Sequence, residues 1–239
     1  LKNVSYFEGL GNYFDKAQRL KKLSGLLSDE LLISKEKVEL ASIISKVDLL
    51  SDLVKEFPEL QGILGGYFAE AQGFDKEVCL SIKEHYLPAG IQNKIPKNNY
   101  SVALSISDKI DTLVGFFGLN LIPSSSKDPY ALRRLSIGLI KIIIENNISL
   151  KVRDIINYSC QIYSEQSIDF DKKKILNELS NFILERFKNF MREKGIRPDI
   201  IESSIINYDL NNILIIYKKS FFLQKNIKKQ IGKDLVENY

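Results

Sequence analysis

The sequence contains no Trp, one Met, one His and two Cys in 239 residues. A single imidazole, His85, excludes an HExxH zinc site, which needs two histidines on one helical face. A Ser-His-Asp triad would have to use His85, and no GxSxG elbow accompanies it. Cys79 and Cys160 lie far apart and outside any CxxC pattern, which excludes a zinc knuckle or a disulfide framework and leaves two small buried apolar residues. Gly62, Gly65 and Gly66 lack the Lys and Ser/Thr of a phosphate-binding loop. No stretch approaches the roughly 18 uninterrupted apolar residues of a membrane span. The run from Ile137 to Ile144 is short and is interrupted by Lys141. An excess of one charge is also missing: 34 Lys and Arg face 30 Asp and Glu, a net +4, which permits nucleic-acid contact without requiring it. Any such contact must therefore rest on local clusters.

What is present is an ordinary globular composition, 44% hydrophobic and 27% charged, in a chain long enough for an ample core. It begins at Leu1 rather than Met and ends inside a helical pattern at Tyr239, and so reads as a piece of a longer polypeptide. The apolar period is helical nearly throughout, with no alternating strands joined by NG or DG turns. Leu10, Phe14, Ala17, Leu20, Leu23 and Leu27 mark a first helix. Ser34 is placed to cap a second, running past Asp48 to Leu53 and stopped by Pro58. A short helix through Leu60, Leu64 and Phe68 carries Gly65-Gly66, where a neighbouring backbone can approach closely. Asp75 to Leu87 and Asn99 to Phe117 follow. Asp128-Pro129 then offers a capping carboxylate and a first-turn proline for a helix to Asn147. Further helices are predicted over 150–163, 171–194 (with Gly195 as C-cap), 199–207 and 209–230, with the likeliest seam between Asn146 and Asp171. The predicted class is all-α.

The order Asp48, His85, Asp108 resembles the helical HD superfamily, whose members hold a divalent metal through histidines, a His-Asp doublet and a later Asp. Here the doublet position reads Val47-Asp48, and no His lies between Leu1 and Glu30. Such a degenerate set fits polar residues in a helix–helix network better than a metal centre. A divergent HD-type phosphohydrolase is the enzymatic alternative.

A closer resemblance runs through the same segments. Lys46 to Gly62, KVDLLSDLVKEFPELQG, resembles the KADLxTxMVxEFPELQG signature of the β subunit of bacterial tetrameric glycyl-tRNA synthetase. EHYLP (Glu84 to Pro88), SDKIDTLVG (Ser107 to Gly115) and SKDPYALRR (Ser126 to Arg134) are similar to that family's EHYxP, ADKLDTLxG and SKDPFALRR, in the same order. Leu10 to Lys16 with Arg19 resembles GTLxDKxxRI, and Gly232 to Tyr239 resembles GKDLLxxYKRA. The match is dense over 10–62 and 84–134 and only a pattern from 150 to 230.

The resemblance implies an HD-like helical domain over 1–150 and a helical region over 151–239 leading toward the tRNA and anticodon-binding end. It implies a cytoplasmic tetramer of two α and two β subunits, with no membrane contact. The whole complex would ligate glycine to tRNA(Gly) with ATP and Mg at a site on the α subunit. This chain would bind no cofactor, and would contribute tRNA contact and architecture rather than a catalytic site. A purely structural subunit-interaction module is the other alternative.

RNA backbone is gripped by Lys and Arg from loops and helix starts. The best cluster is Lys127, Arg133 and Arg134, beside the Ser124 to Lys127 loop; helix-fixing ion pairs of the arginines with Asp108, Asp111 or Asp128 are the alternative. Lys16, Arg19, Lys46 and Lys109 are further candidates for RNA contact, weighed against a role in structural ion pairs. His85 reads as a satisfied interior histidine at a helix end. Lys172 to Lys174, Lys218-Lys219 and Lys228-Lys229 read as solvated helix faces, the last two pairs recurring on a late helix with a second RNA-facing surface as the alternative, and Ile213 to Tyr217 and Phe221-Phe222 read as core.

Overall fold

The computed structural model describes residues 1–89, 94–124, 127–206 and 208–227. The chain opens with a short antiparallel hairpin, β1 (Ser5–Phe7) and β2 (Gly11–Asn12), with Ser5 opposite Asn12 and Phe7 opposite Gly11. Gly9 and Gly11 both adopt positive φ, which lets so short a hairpin close. Eleven helices follow among the described residues: α1 (Tyr13–Leu26), α2 (Lys35–Ile44), α3 (Asp52–Glu56), α4 (Ile63–Ala71), α5 (Lys76–Glu84), α6 (Asn99–Gly118), α7 (Leu132–Glu145), α8 (Val152–Glu165), α9 (Lys172–Glu193), α10 (Pro198–Ile205) and α11 (Ile213–Asn226). The all-α class holds, with the hairpin as its one departure.

α6 is the axis of the molecule. Sixteen of its twenty residues are buried, Asp108, Lys109 and Asp111 among them. α1, α2, α5, α7, α8 and α9 all pack on it. Val102, Ile106 and Ile110 enter the main apolar core with Leu23 of α1, Leu139 of α7, Ile156 of α8 and Ile183 of α9. Leu104 instead joins a smaller core with Leu20, Ala41, Ala69, Val78 and Ile82. Each such side chain contributes roughly 1.5–3 kcal/mol by leaving water. α1 and α6 thus feed both cores, and polar groups on their facing sides are enclosed between them.

Local chemistry explains the helix ends. Asn12 and Asp15 form a reciprocal capping box that starts α1 at Tyr13, after the hairpin rather than at Leu10. Ser34 caps α2 as its position suggests. Gly195 ends α9 with φ 82°, the Gly195 N–H bonding Arg192 O and the Ile196 N–H bonding Met191 O. A Cβ on Gly66 would lie 2.8 Å from Lys83 Cβ and 2.9 Å from the Cys79 carbonyl oxygen, so α4 and α5 do approach where the double glycine lies. Both cysteines are free and buried, and no helix among the described residues is long and apolar enough to cross a membrane.

Three expectations are corrected. The second helix does not run to Leu53: Ser45 bonds back to the Ser42 carbonyl, the chain tightens into a 3₁₀ turn at Val47–Leu50, and Ser51 caps the separate α3. Asp48 is therefore in a 3₁₀ turn and not mid-helix. α7 begins at Leu132, because a turn closes from Ala131 N–H to the Asp128 carbonyl and Ala131 takes φ 56°. Pro129 lies outside the helix, and Asp128 caps it from farther back. Phe221 and Phe222 are exposed, since α11 turns Ile213, Leu214, Ile216 and Ser220 inward. Residues 228–230, with Lys228-Lys229, and the motif at 232–239 lie outside the described residues.

Candidate functional site

Between α1 and α6 lies a cluster of charged side chains shut off from solvent. Lys16 and Arg19 sit three residues apart on α1, and Asp108 and Asp111 three apart on α6, so each pair shares a helical face. Lys16 Nζ lies 3.1 Å from Asp108 Oδ1 and 2.8 Å from Asp111 Oδ2. Arg19 Nε donates to Asp111 Oδ1 at 2.6 Å, and its Nη1 donates to the Leu10 carbonyl and to Gln166 Oε1 just beyond α8. The Tyr163 ring lies 4.2 Å from the guanidinium carbon.

Lys46 enters from the end of α2. Its Nζ is 3.1 Å from Asp108 Oδ1 and 2.8 Å from His85 Nε2. The His85 Nδ1–H donates to the Ile82 carbonyl at 2.6 Å, which leaves Nε2 free to accept from the ammonium. Burial, reinforced by the Lys46 charge, pushes His85 down to about 3, so the ring is neutral. Lys109 points the other way along α6, donating to the Leu87 carbonyl at 2.6 Å and to Ser105 Oγ at 2.7 Å.

Three basic groups, Lys16, Arg19 and Lys46, thus face Asp108 and Asp111. Burial alone would raise both carboxyls, but Lys16 and Lys46 around Asp108, and Arg19 and Lys16 around Asp111, hold each below the usual carboxylate range. Burial alone would also lower Lys16 and Arg19, yet Asp108 and Asp111 outweigh it for Lys16 and Asp111 does so for Arg19. Lys46 is lowered by burial despite Asp108. Lys109, with no carboxylate in contact, is pulled down to about 7, mainly by burial and further by Lys46, against the opposing charge of Asp108.

This cluster does not fit a metal. The His85 lone pair and the Asp108 oxygen that a divalent cation would use are both held by the Lys46 ammonium. Asp48 is turned aside, its Oδ2 accepting from Gly62 N–H at 2.6 Å and Gly65 N–H at 3.3 Å, while Oδ1 has no partner. Among the described residues no group of three or more His, Cys, Asp or Glu is placed to hold a metal ion.

Of the residues predicted to meet RNA, Lys16, Arg19 and Lys109 are buried in this cluster, whereas Lys127 and Arg134 are exposed and Arg133 half-exposed. Asp128 orients the outer group: its carboxylate accepts from Leu132 N–H at 2.9 Å and Arg133 N–H at 3.0 Å. Arg133 Nη2 donates to the Ser124 carbonyl, and the Ser124 hydroxyl accepts from Lys127 N–H at 3.2 Å. Residues 125 and 126 of this loop lie outside the described residues. Arg186 of α9 joins the group, its guanidinium lowered first by burial and then by the charge of Arg133. The sequence carried no sign of Arg186, which is 53 positions from Arg133 and meets it only because α7 packs on α9. Arg134, one residue on, faces a different cleft with Pro58, Glu59, Gln61 and Tyr86. Lys173 and Lys174 stand in solvent at the start of α9, as does Lys218 on α11.

Comparison with known proteins agrees with the motif pattern. The family described as "Glycyl-tRNA synthetase beta subunit" matches residues 1–206. A glycine--tRNA ligase beta subunit of Clostridioides difficile (strain 630) is 37% identical over 239 residues, covering 99% of this chain and 34% of the relative. The corresponding subunit of Syntrophomonas wolfei is 34% identical over 242 residues, covering 100% and 35%. That of Thermodesulfovibrio yellowstonii is 37% identical over 203 residues, covering 84% and 29%. The chain therefore spans about a third of the length of these curated relatives. Over that third, motif order, whole-chain identity and family match agree: the chain belongs to the glycyl-tRNA synthetase β-subunit family.

Proposed function

We propose that this chain is a tRNA-contacting and architectural part of a glycyl-tRNA synthetase β subunit, with glycine activation carried out on the α subunit. The observation that carries the reading is the division of the basic residues. Lys16, Arg19, Lys46 and Lys109 are held inside by Asp108, Asp111, His85 and backbone carbonyls, while Lys127, Arg133 and Arg186 lie on the surface with no carboxylate in an ion pair among the described residues. A surface of that kind suits phosphate oxygens, which accept from guanidinium and ammonium groups without needing a particular base. In the full enzyme, two α and two β subunits act in the cytoplasm on glycine, ATP with Mg, and tRNA(Gly). Residues 1–150 form an HD-like helical domain whose metal positions have become a structural charge cluster, and 151–239 lead toward the anticodon-binding end.

Neutralising Lys127→Gln and Arg133→Gln in the α/β enzyme tests this. The expected outcome is weaker tRNA binding, with the salt slope of log K reduced by roughly 0.7–0.9 per lost phosphate contact and with glycine activation unchanged. Unaltered affinity and slope in folded variants would overturn the RNA reading.

One observation favours the purely structural alternative alongside it. Val47, Leu50, Leu53, Phe57, Ile63 and Phe68 are all exposed within one continuous segment. An apolar face of that kind is suited to another protein surface rather than to RNA. If the chain served only that purpose, the Gln variants would leave tRNA binding untouched while polar substitutions at Leu53 and Phe57 would weaken subunit assembly.

A further inference from the structure

A cleft of about 310 Å³ opens between the α3–α4 connection, the end of α5 and the start of α7, bounded by Pro58, Glu59, Gln61, Tyr86, Pro88 and Arg134. Its walls come from three of the sequence motifs, EFPELQG, EHYLP and SKDPYALRR, which are separated along the chain and come together here. Gly62 takes φ 77° beside it, and a Cβ there would press within 3.1 Å of the Tyr86 ring, so the backbone lies directly against that ring.

Tyr86 is supported from behind. The Lys46 ammonium lies 4.0 Å from its ring centroid and the His85 ring 3.9 Å, while Lys46 Nζ and His85 Nε2 are only 2.8 Å apart. Two groups on opposite faces at those distances would stand nearly twice as far from each other as from the ring, so both occupy one face. The cleft meets the remaining, partly exposed portion of the half-buried Tyr86 side chain. Its polar side chains are uncommitted: Arg134, Glu59 and the Gln61 amide make no ion pair or hydrogen bond among the described residues. Their hydrogen-bonding capacity is therefore available to a ligand in the cleft.

We propose that this cleft takes a single unpaired nucleotide of the bound RNA, an inference that rests on the RNA-contacting role above and gives it a base-reading part. The base packs on the part of Tyr86 that lines the cleft, as unpaired bases do on aromatic side chains. Gln61, both donor and acceptor, meets the base edge, and Glu59, acceptor only, favours a base with an exocyclic amino group over uracil. Arg134 holds the adjoining phosphate. Arg133 and Arg134 then serve different ends of one interaction: Arg133 with Lys127 and Arg186 meets backbone elsewhere, and Arg134 anchors the flipped nucleotide.

The test uses the α/β enzyme with tRNA(Gly) and three variants. Ala89→Trp fills the cleft from an exposed rim position and removes no core side chain. Tyr86→Leu removes the aromatic side chain, and Arg133→Gln reports on the separate backbone contact. Ala89→Trp and Tyr86→Leu should each weaken tRNA binding roughly 5- to 150-fold; Tyr86→Leu, which leaves the Arg134 contact in place, should keep the salt slope, whereas Ala89→Trp, which also displaces the phosphate at Arg134, should lower it by roughly 0.7–0.9. Arg133→Gln should lower the slope as well. If Tyr86→Leu melts early, Ala89→Trp alone decides the matter. Full affinity in a folded Ala89→Trp enzyme overturns the cleft proposal. If Arg133→Gln still weakens binding in that case, the RNA role stands without it, and if neither variant does, both fall.

Discussion

Lys16, Arg19, Lys46 and Lys109 lie in the middle of the molecule and Lys127, Arg133 and Arg134 on its rim, so two side-chain types do different work in the two places. In the interior, Arg19 is bonded to Asp111, Leu10 and Gln166 at once, and its position is fixed by three elements of the fold. On the rim, Arg133 has one backbone carbonyl and a like-charged neighbour, Arg186. Burial makes the difference. A buried cation must be paired or lose its proton, while an exposed one keeps its charge and its hydrogen-bonding capacity for a ligand. The two regions also lie on connected elements, since α6 carries the interior aspartates and packs on α7, which carries the rim arginines.

The sharpest way to break the comparison is to remove one interior carboxylate. Asp111→Ala leaves Arg19 without its carboxylate and takes one of two carboxylate partners from Lys16, and should cost roughly 3–5 kcal/mol in a denaturation experiment. Arg133→Gln, by contrast, should stay within about 0.5 kcal/mol of the parent chain. Equal losses for the two variants would show that the rim arginine is part of the same structural network.

A smaller effect should appear in the pH dependence of stability. The folded-state pKa of His85, about 3, lies below its ordinary 6.5, so the unfolded chain binds the extra proton between those values. The contribution of His85 is therefore complete above pH 6.5 and is lost as pH falls toward 3. Asp108 and Asp111, also depressed, lose their contributions in the same direction but only at and below the ordinary carboxylate range. Because His85 is the only histidine, the interval from pH 6.5 to about 4.5 isolates it. Stability should fall there with a slope of up to about 1.4 kcal/mol per pH unit. A flat profile would mean that His85 can take a proton without disturbing Lys46.

Much of this arrangement was legible in the sequence. The 3.6-residue period marks ten of the eleven helices among the described residues, nine of them to within a few residues and α2 with an end drawn nine residues too far, because each carries an apolar face. The short α3 was hidden inside the second helix, because the Ser45 and Ser51 side-chain bonds that divide them compete with the backbone only once Asp48 folds back to Gly62. The sequence marks Lys16, Arg19, Lys46 and Lys109 as candidates for structural ion pairs, but it offers Asp108 and Asp111 as partners of Arg133 or Arg134, whereas the structure pairs them with Lys16, Arg19 and Lys46. Which lysines are enclosed was not legible, since enclosure depends on α1 and α6 facing each other across 90 positions of chain. For the same reason Arg186 and the Tyr86 cleft, which are assembled by packing, left no local signal.

The smallest effect tests how the rim is tuned, and it rests on Asp128. This residue belongs to both sides of the comparison, because it caps α7 like a structural carboxylate yet lies within the electrostatic reach of Arg186 beside Arg133. Asp128→Asn keeps a side-chain oxygen able to accept from Leu132 or Arg133 N–H, so the stability loss should stay below about 1 kcal/mol. The substitution also removes a negative charge from a surface proposed to meet phosphate. Affinity for tRNA should therefore rise roughly two- to threefold at low ionic strength, and the gain should vanish as salt screens the surface. Asp128→Ala lacks the cap as well, so α7 should fray at Leu132 and Arg133 should lose its fixed orientation. The two variants then separate charge from geometry. Tighter binding with Asn and weaker binding with Ala would show that the carboxylate moderates the arginines electrostatically while its hydrogen bonds aim them. Weaker binding with both would show that aiming dominates, and that the rim is as dependent on precise pairing as the interior.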